Sequence, residues 1–134
     1  MRNRIKIALP FLVSLLIISC KKEPGPGGLA SVKGKVYAYD FTSGKTLISE
    51  GYLGEIRVYI GAADGSEHFD DIRTSYDGSY QFNFLRKGKY KVWVFAKSDT
   101  AVLTSPEGQQ HFIQEVEVTD KKGEVEVPDF KVNI

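Results

Sequence analysis

The chain holds one cysteine, two histidines, one tryptophan and one methionine in 134 residues. A lone cysteine excludes an intrachain disulfide, so stability must come from a packed core, which about 100 residues can supply. His68 and His111 have no neighbours at the spacing of a Ser-His-Asp or zinc hydrolase, so no catalytic residues and no metal are expected. Nowhere is there an apolar run of about 20 residues, the length a membrane-spanning helix needs. A clustered excess of Lys and Arg is lacking too. The formal charge is +1, which gives no reason to expect a nucleic-acid partner. Helical periodicity is also absent: from Ser31 onward no window repeats its apolar residues every 3.6 positions.

The N-terminus is distinctive. Arg2, Arg4 and Lys6 precede an apolar stretch from Ile7 to Ile18, broken only by Pro10 and Ser14. That is the pattern of a secretory signal. It ends in Ile17-Ile18-Ser19-Cys20, which resembles the lipobox of bacterial lipoproteins, in the looser form seen in Bacteroidota. The resemblance implies cleavage before Cys20, a diacylglycerol on its sulfur and an acylated amino group. Several acyl chains give lasting membrane attachment where one would not. Lys21 stands where an Asp would resemble an inner-membrane retention signal, so the expected location is the outer membrane, facing the periplasm or the cell surface. Without residues 1–19, which hold three basic and no acidic side chains, the balance moves from +1 to −2. Residues 20–30, rich in Pro and Gly, read as a flexible tether, leaving residues 31–134 as the folded domain.

Within that domain, apolar residues alternate with polar ones at period two. Val32, Gly34, Val36 and Ala38 form one run, Ile56, Val58 and Ile60 a second, and Tyr80, Phe82 and Phe84 a third. Tyr90, Val92, Val94 and Ala96 follow, then Phe112, Val116 and Val118, and finally Val125 with Val127. Asp77-Gly78 marks a hairpin, Arg86-Lys87-Gly88 and Lys121-Lys122-Gly123 mark tight connections, and Pro128 marks a bulge or an edge. These signals predict an all-β fold: a single antiparallel, seven-stranded β-sandwich.

The stretch Thr74-Ser75-Tyr76-Asp77-Gly78-Ser79-Tyr80-Gln81-Phe82, continuing through Leu85 to Gly88, Tyr90 and Val92, adds a resemblance. Together with Val32-Lys33-Gly34-Lys35-Val36 it resembles the carboxypeptidase-regulatory-like family and the related Cna B-type and transthyretin-like Greek-key sandwiches. The resembling positions are turn and core residues, so they imply a fold and not a function. Some Cna B-type domains crosslink a first-strand Lys to a last-strand Asn. Lys33 and Lys35, the counterparts here of such a lysine opposite Asn133, lie on the outward phase, which argues against it.

Other chemistry is sparse. Gly44-Lys45-Thr46 lacks the earlier glycine of a phosphate loop. Asp64, Glu67, Asp70, Asp71 and Asp77 match no compact calcium loop, and no cofactor is expected. Tyr37, Tyr39, Tyr59, Trp93 and Phe95 all fall on the non-core phase of their strands, which predicts an outer aromatic face for a glycan or a protein partner. Asp99-Thr100-Ala101 resembles the O-glycosylation pattern of Bacteroidota, with Thr100 as acceptor. The expected role is a non-catalytic, membrane-anchored module for binding, adhesion or envelope assembly. The alternatives are carbohydrate binding on the aromatic face, and a structural accessory subunit of an outer-membrane complex.

Overall fold

A computed structural model describes residues 23–97 and 109–134. Every regular element among them is a strand: β1 Pro26–Phe41, β2 Leu47–Tyr52, β3 Arg57–Ala62, β4 Asp70–Arg73, β5 Ser79–Leu85, β6 Gly88–Lys97, β7 Gln109–Val118, β8 Lys122–Glu126 and β9 Phe130–Asn133. Nine strands therefore replace the seven expected. They form one hydrogen-bonded network that curls on itself, in the order β2-β1-β9-β6-β3-β4, with β5 and β8 added to β1 and β7 added to β6.

The reason is β1. At 16 residues it spans roughly 50 Å and has room for four partners. Its first half pairs antiparallel with β5 and parallel with β8; its second half pairs antiparallel with β2 and parallel with β9. The network is thus mixed, not purely antiparallel. β8 and β9 occupy successive stretches of the same β1 edge, and the residues between them are Val127, Pro128 and Asp129. Pro128 has no N–H to give a ladder, so the edge changes partner there.

The expected tether is also shorter than the sequence suggests. Residues 26–30 belong to β1. A Cβ placed on Gly28 would lie 1.9 Å from the Leu85 carbonyl oxygen, so this glycine serves a close approach between paired strands and not flexibility.

Alternation sets the core. Ala30, Val32, Val36 and Ala38 of β1 point inward with Val58 and Ile60 of β3, Tyr80, Phe82 and Leu85 of β5, and Tyr90, Val92 and Val94 of β6. Each fully buried aliphatic or Phe side chain contributes about 1.5–3 kcal/mol relative to exposure. The inward phase of β5 slips at Phe84. This residue has φ 59° and is 68% exposed, and Leu85 takes the core position. The β1–β5 register shifts between Ala30 and Val32 to match, which identifies a bulge.

The turns also differ from expectation. Asp77-Gly78 reverses the chain, with Gly78 at φ 75° and the Asp77 carboxylate accepting from the Ser79 N–H and hydroxyl. Those bonds hold the Asp77 carboxyl below its usual range. Yet β4 and β5 share no ladder, and neither do β5 and β6 or β7 and β8. These turns carry the chain across to another part of the network; the hairpins are β1–β2, β3–β4 and β6–β7. Thr74 explains the start of the motif. Its buried hydroxyl donates to the Leu53 carbonyl (2.7 Å) and accepts from the Ile56 N–H (3.0 Å), tying the approach to β3 to the end of β4.

Candidate binding site

The outer phase of β3, β6 and β7 brings aromatic side chains into register. Tyr59 is paired with Trp93, Trp93 with Ile113, and Phe95 with His111. The Tyr59 and Trp93 rings stack at 5.7 Å between centroids and 15° between planes, forming a flat floor. Phe95 meets Tyr59 edge-on at 5.4 Å, and His111 meets Phe95 edge-on at 4.4 Å. Offset-stacked and edge-to-face contacts like these each add about 0.5–1.5 kcal/mol beyond area burial.

The β3–β4 connection then folds back over the floor. His68, within it, lies 4.9 Å from the Tyr59 ring and 6.2 Å from the Trp93 ring, edge-on to both. Lys91 donates to the Gly65 carbonyl, and its ammonium sits 5.5 Å from the Trp93 ring centroid, where the ring quadrupole attracts it. The result is a hollow of about 390 Å³ bounded by rings, with His68, His111, Lys91 and Ser66 supplying polar atoms at its rim. That volume lies within the range of small-ligand sites. Trp93 is only 8% exposed, while Phe95 is 37% and Ile113 53% exposed. The indole is therefore mostly spent on packing, and the accessible wall is Phe95, His111 and Ile113.

Tyr37 and Tyr39 lie elsewhere. They contact each other at 5.2 Å, Tyr37 contacts Tyr52 of β2 at 5.1 Å, and Tyr39 stacks on Phe41. The Tyr52 hydroxyl donates to Asp129 (2.8 Å) and the Lys35 ammonium sits over its ring. Among the described residues no ring contact joins this β1–β2 group to the β3–β6–β7 group. The five residues predicted to form one face thus form two clusters, because they sit on strands that β9 separates.

The sequence gives His68 and His111 no hydrolase spacing and marks neither as a binding residue, yet both border the hollow. His111 shares its phase with Gln109 and Ile113, but only the β6–β7 register shows that Phe95 stands opposite. His68 Nε2 lies 3.8 Å from Asp71, beyond hydrogen-bond reach, and Asp71 also approaches Arg57 at 3.5 Å. A larger hollow of about 440 Å³ is bordered by Lys33, Lys35, Arg73 and Ser79. There Lys33 is ion-paired with Glu124 and Arg73 approaches Glu55, and the one ring at its edge, Tyr80, is buried. Among the described residues no group of three or more His, Cys, Asp or Glu is arranged to hold a metal. Cys20 and Thr100 lie outside the described residues.

The chain matches no family model and no curated protein. Among solved structures it is similar to a proposed carbohydrate-binding protein of Pseudomonas aeruginosa, at 11% identity and a TM-score of 0.46. The similarity covers 78% of this chain and 90% of that one.

Proposed function

We propose that this chain is a non-catalytic binding module, anchored to the outer membrane through Cys20, whose contact surface is the hollow over Tyr59, Trp93 and Phe95. The observation that carries this reading is the combination of a stacked aromatic floor with polar atoms along one rim. A sugar ring has apolar C–H faces and a hydroxyl edge. The exposed Phe95 wall, held in place by the Tyr59–Trp93 stack, suits the first, and His68, His111, Lys91 and Ser66 suit the second, so the ligand class is a glycan. The β-sandwich of carboxypeptidase-regulatory-like type is the fold we assign to the module, and Thr100 is its O-glycan acceptor.

Glycan-array binding of the full chain, followed by titration of the strongest hit, tests the assignment. Phe95→Ala removes the exposed wall without opening the core, and it should weaken binding at least ~10-fold, the loss of about 1.4 kcal/mol of contact. Tyr39→Ala, in the other cluster, should leave binding unchanged. A chain that binds no glycan but co-purifies with one envelope protein would replace this reading with the assembly role.

A further inference from the structure

The end of the domain where the chain enters β1 differs in character from the rest of the surface. The Gly25 N–H donates to the Tyr90 hydroxyl (2.8 Å), the Arg86 N–H donates to the Gly25 carbonyl (3.0 Å), and the Tyr90 hydroxyl donates to the Arg86 carbonyl (2.7 Å). The chain is therefore stitched to the β5–β6 turn from Gly25 onward. Five peptide units separate Cys20 from Gly25, which at full extension reach no more than about 18 Å.

Basic side chains surround this point. Arg86 and Lys87 come from the β5–β6 turn, Lys121 from the β7–β8 turn, and Lys122 opens β8. Lys87, Lys121, Leu29 and Arg86, whose guanidinium lies against Gly27, bound a hollow of about 370 Å³. Leu29 is 62% exposed, and Phe84, one residue before the strand end that pairs with Pro26, is 68% exposed. Lys89 follows on β6 and faces Glu117 across the ladder. The acids at this end are Glu23, Glu117, Asp120 and, on the connection whose Ala63 N–H donates to the Lys89 carbonyl, Asp64; Arg86, Lys87, Lys89, Lys121 and Lys122 stand against them, with Lys21 and Lys22 preceding in the sequence, so cations are in excess.

We propose that this end is a membrane-facing collar, in which Arg86, Lys87, Lys121 and Lys122 contact the anionic headgroups of the leaflet that holds the anchor, with Leu29 and Phe84 set among them. The inference rests on the lipid-anchor reading of Cys20. Two observations select a lipid surface over other occupants: the chain leaves the domain here toward Cys20, and the charge is complementary. The reach of about 18 Å is only about twice the Debye length at physiological salt, so the headgroup field acts on these side chains. An acyl anchor and a basic patch are a recognised pair of signals for stable attachment. The collar also fixes an orientation. Phe95 lies seven residues along β6 from Gly88, roughly 23 Å farther out, so the Phe95 wall of the hollow is its end farthest from the membrane.

Lysine labelling tests this with the lipidated full chain reconstituted in vesicles. An amine-acetylating reagent with peptide mass spectrometry reads each lysine separately. In vesicles containing phosphatidylglycerol, Lys87, Lys121 and Lys122 should be acetylated about threefold more slowly than in phosphatidylcholine alone, and high salt should erase the difference. Lys45 and Lys97, at the opposite ends of β1 and β6, should not change. Arg86→Glu with Lys87→Glu should abolish the protection of Lys121 and Lys122 while the protein still sediments with vesicles. Protein that sediments but labels equally in both vesicles overturns the collar alone. Protein left in the supernatant overturns the anchor and the collar with it. Protection that appears only in native membranes, and not in anionic vesicles, overturns the lipid assignment in favour of a protein partner.

Discussion

Tyr80 and Tyr90 open the two strands that flank the Arg86-Lys87-Gly88 turn, and both are buried, at 3% and 0% exposure. Their hydroxyls meet opposite circumstances. Tyr90 accepts from the Gly25 N–H and donates to the Arg86 carbonyl, closing the end where the chain enters β1. Tyr80 reaches under Gly34 in the middle of β1, and among the described residues its hydroxyl has no hydrogen-bond partner. The same side chain thus serves as a clasp in one region and as a wedge in the other. Its net effect depends on whether the polar atom is satisfied, since the aromatic ring contributes similarly in both places.

The largest break in this comparison is Gly34→Ala. Its Cβ would lie 2.4 Å from the Tyr80 hydroxyl oxygen and 2.7 Å from the carbon bearing it, with both on paired strands that cannot separate freely. The variant should lose about 1–3 kcal/mol in denaturant unfolding. Gly34→Ala with Tyr80→Phe should recover part of that loss, because the nearest clashing atom is gone.

Tyr90→Phe comes next. It leaves the buried Gly25 N–H without its acceptor, and should cost about 1–2 kcal/mol while loosening residues 23–26 in amide exchange. Tyr80→Phe should act in the other direction. Removing an unsatisfied hydroxyl should stabilise the domain by about 1 kcal/mol, or about 4–8 °C in thermal midpoint. Equal effects of the two Phe substitutions would dissolve the distinction.

The smallest effect is in alkali. Burial first, and the nearby Asp129 charge second, push the Tyr80 hydroxyl above its usual value of 10.0. Above pH 10 the unfolded chain therefore loses this proton before the folded one does, so stability should fall as pH rises. Tyr80→Phe should flatten that decline without abolishing it, because burial also raises Tyr90.

Much of the strand content was legible, because period-two alternation reports which face of a strand is buried whatever its partner. Val32, Val36, Val58, Ile60, Val92 and Val94 are core residues on that ground alone. Partnership was not legible. Asp77-Gly78 shows that the chain reverses, but a reversal within one ladder and a crossing to another use the same turn chemistry. Glycine misled in the same way at Gly27 and Gly28, where composition reads as a linker and the fold uses the missing side chain to bring β1 against Leu85. The candidate site was visible in part: Tyr59, Trp93 and Phe95 share an outward phase. His68 joined them only through the path of a connection, and His111 only through β6–β7 register, neither of which a single strand encodes.

The length of β1 has a mechanical consequence. It is where the chain enters the domain, and it is bonded along its course to β5, β8, β2 and β9. Traction applied from the N-terminal side runs along the strand, while the ladder bonds lie across it. Such a pull shears many bonds together instead of peeling them apart singly, so the strand that receives the force is also the one most widely fastened.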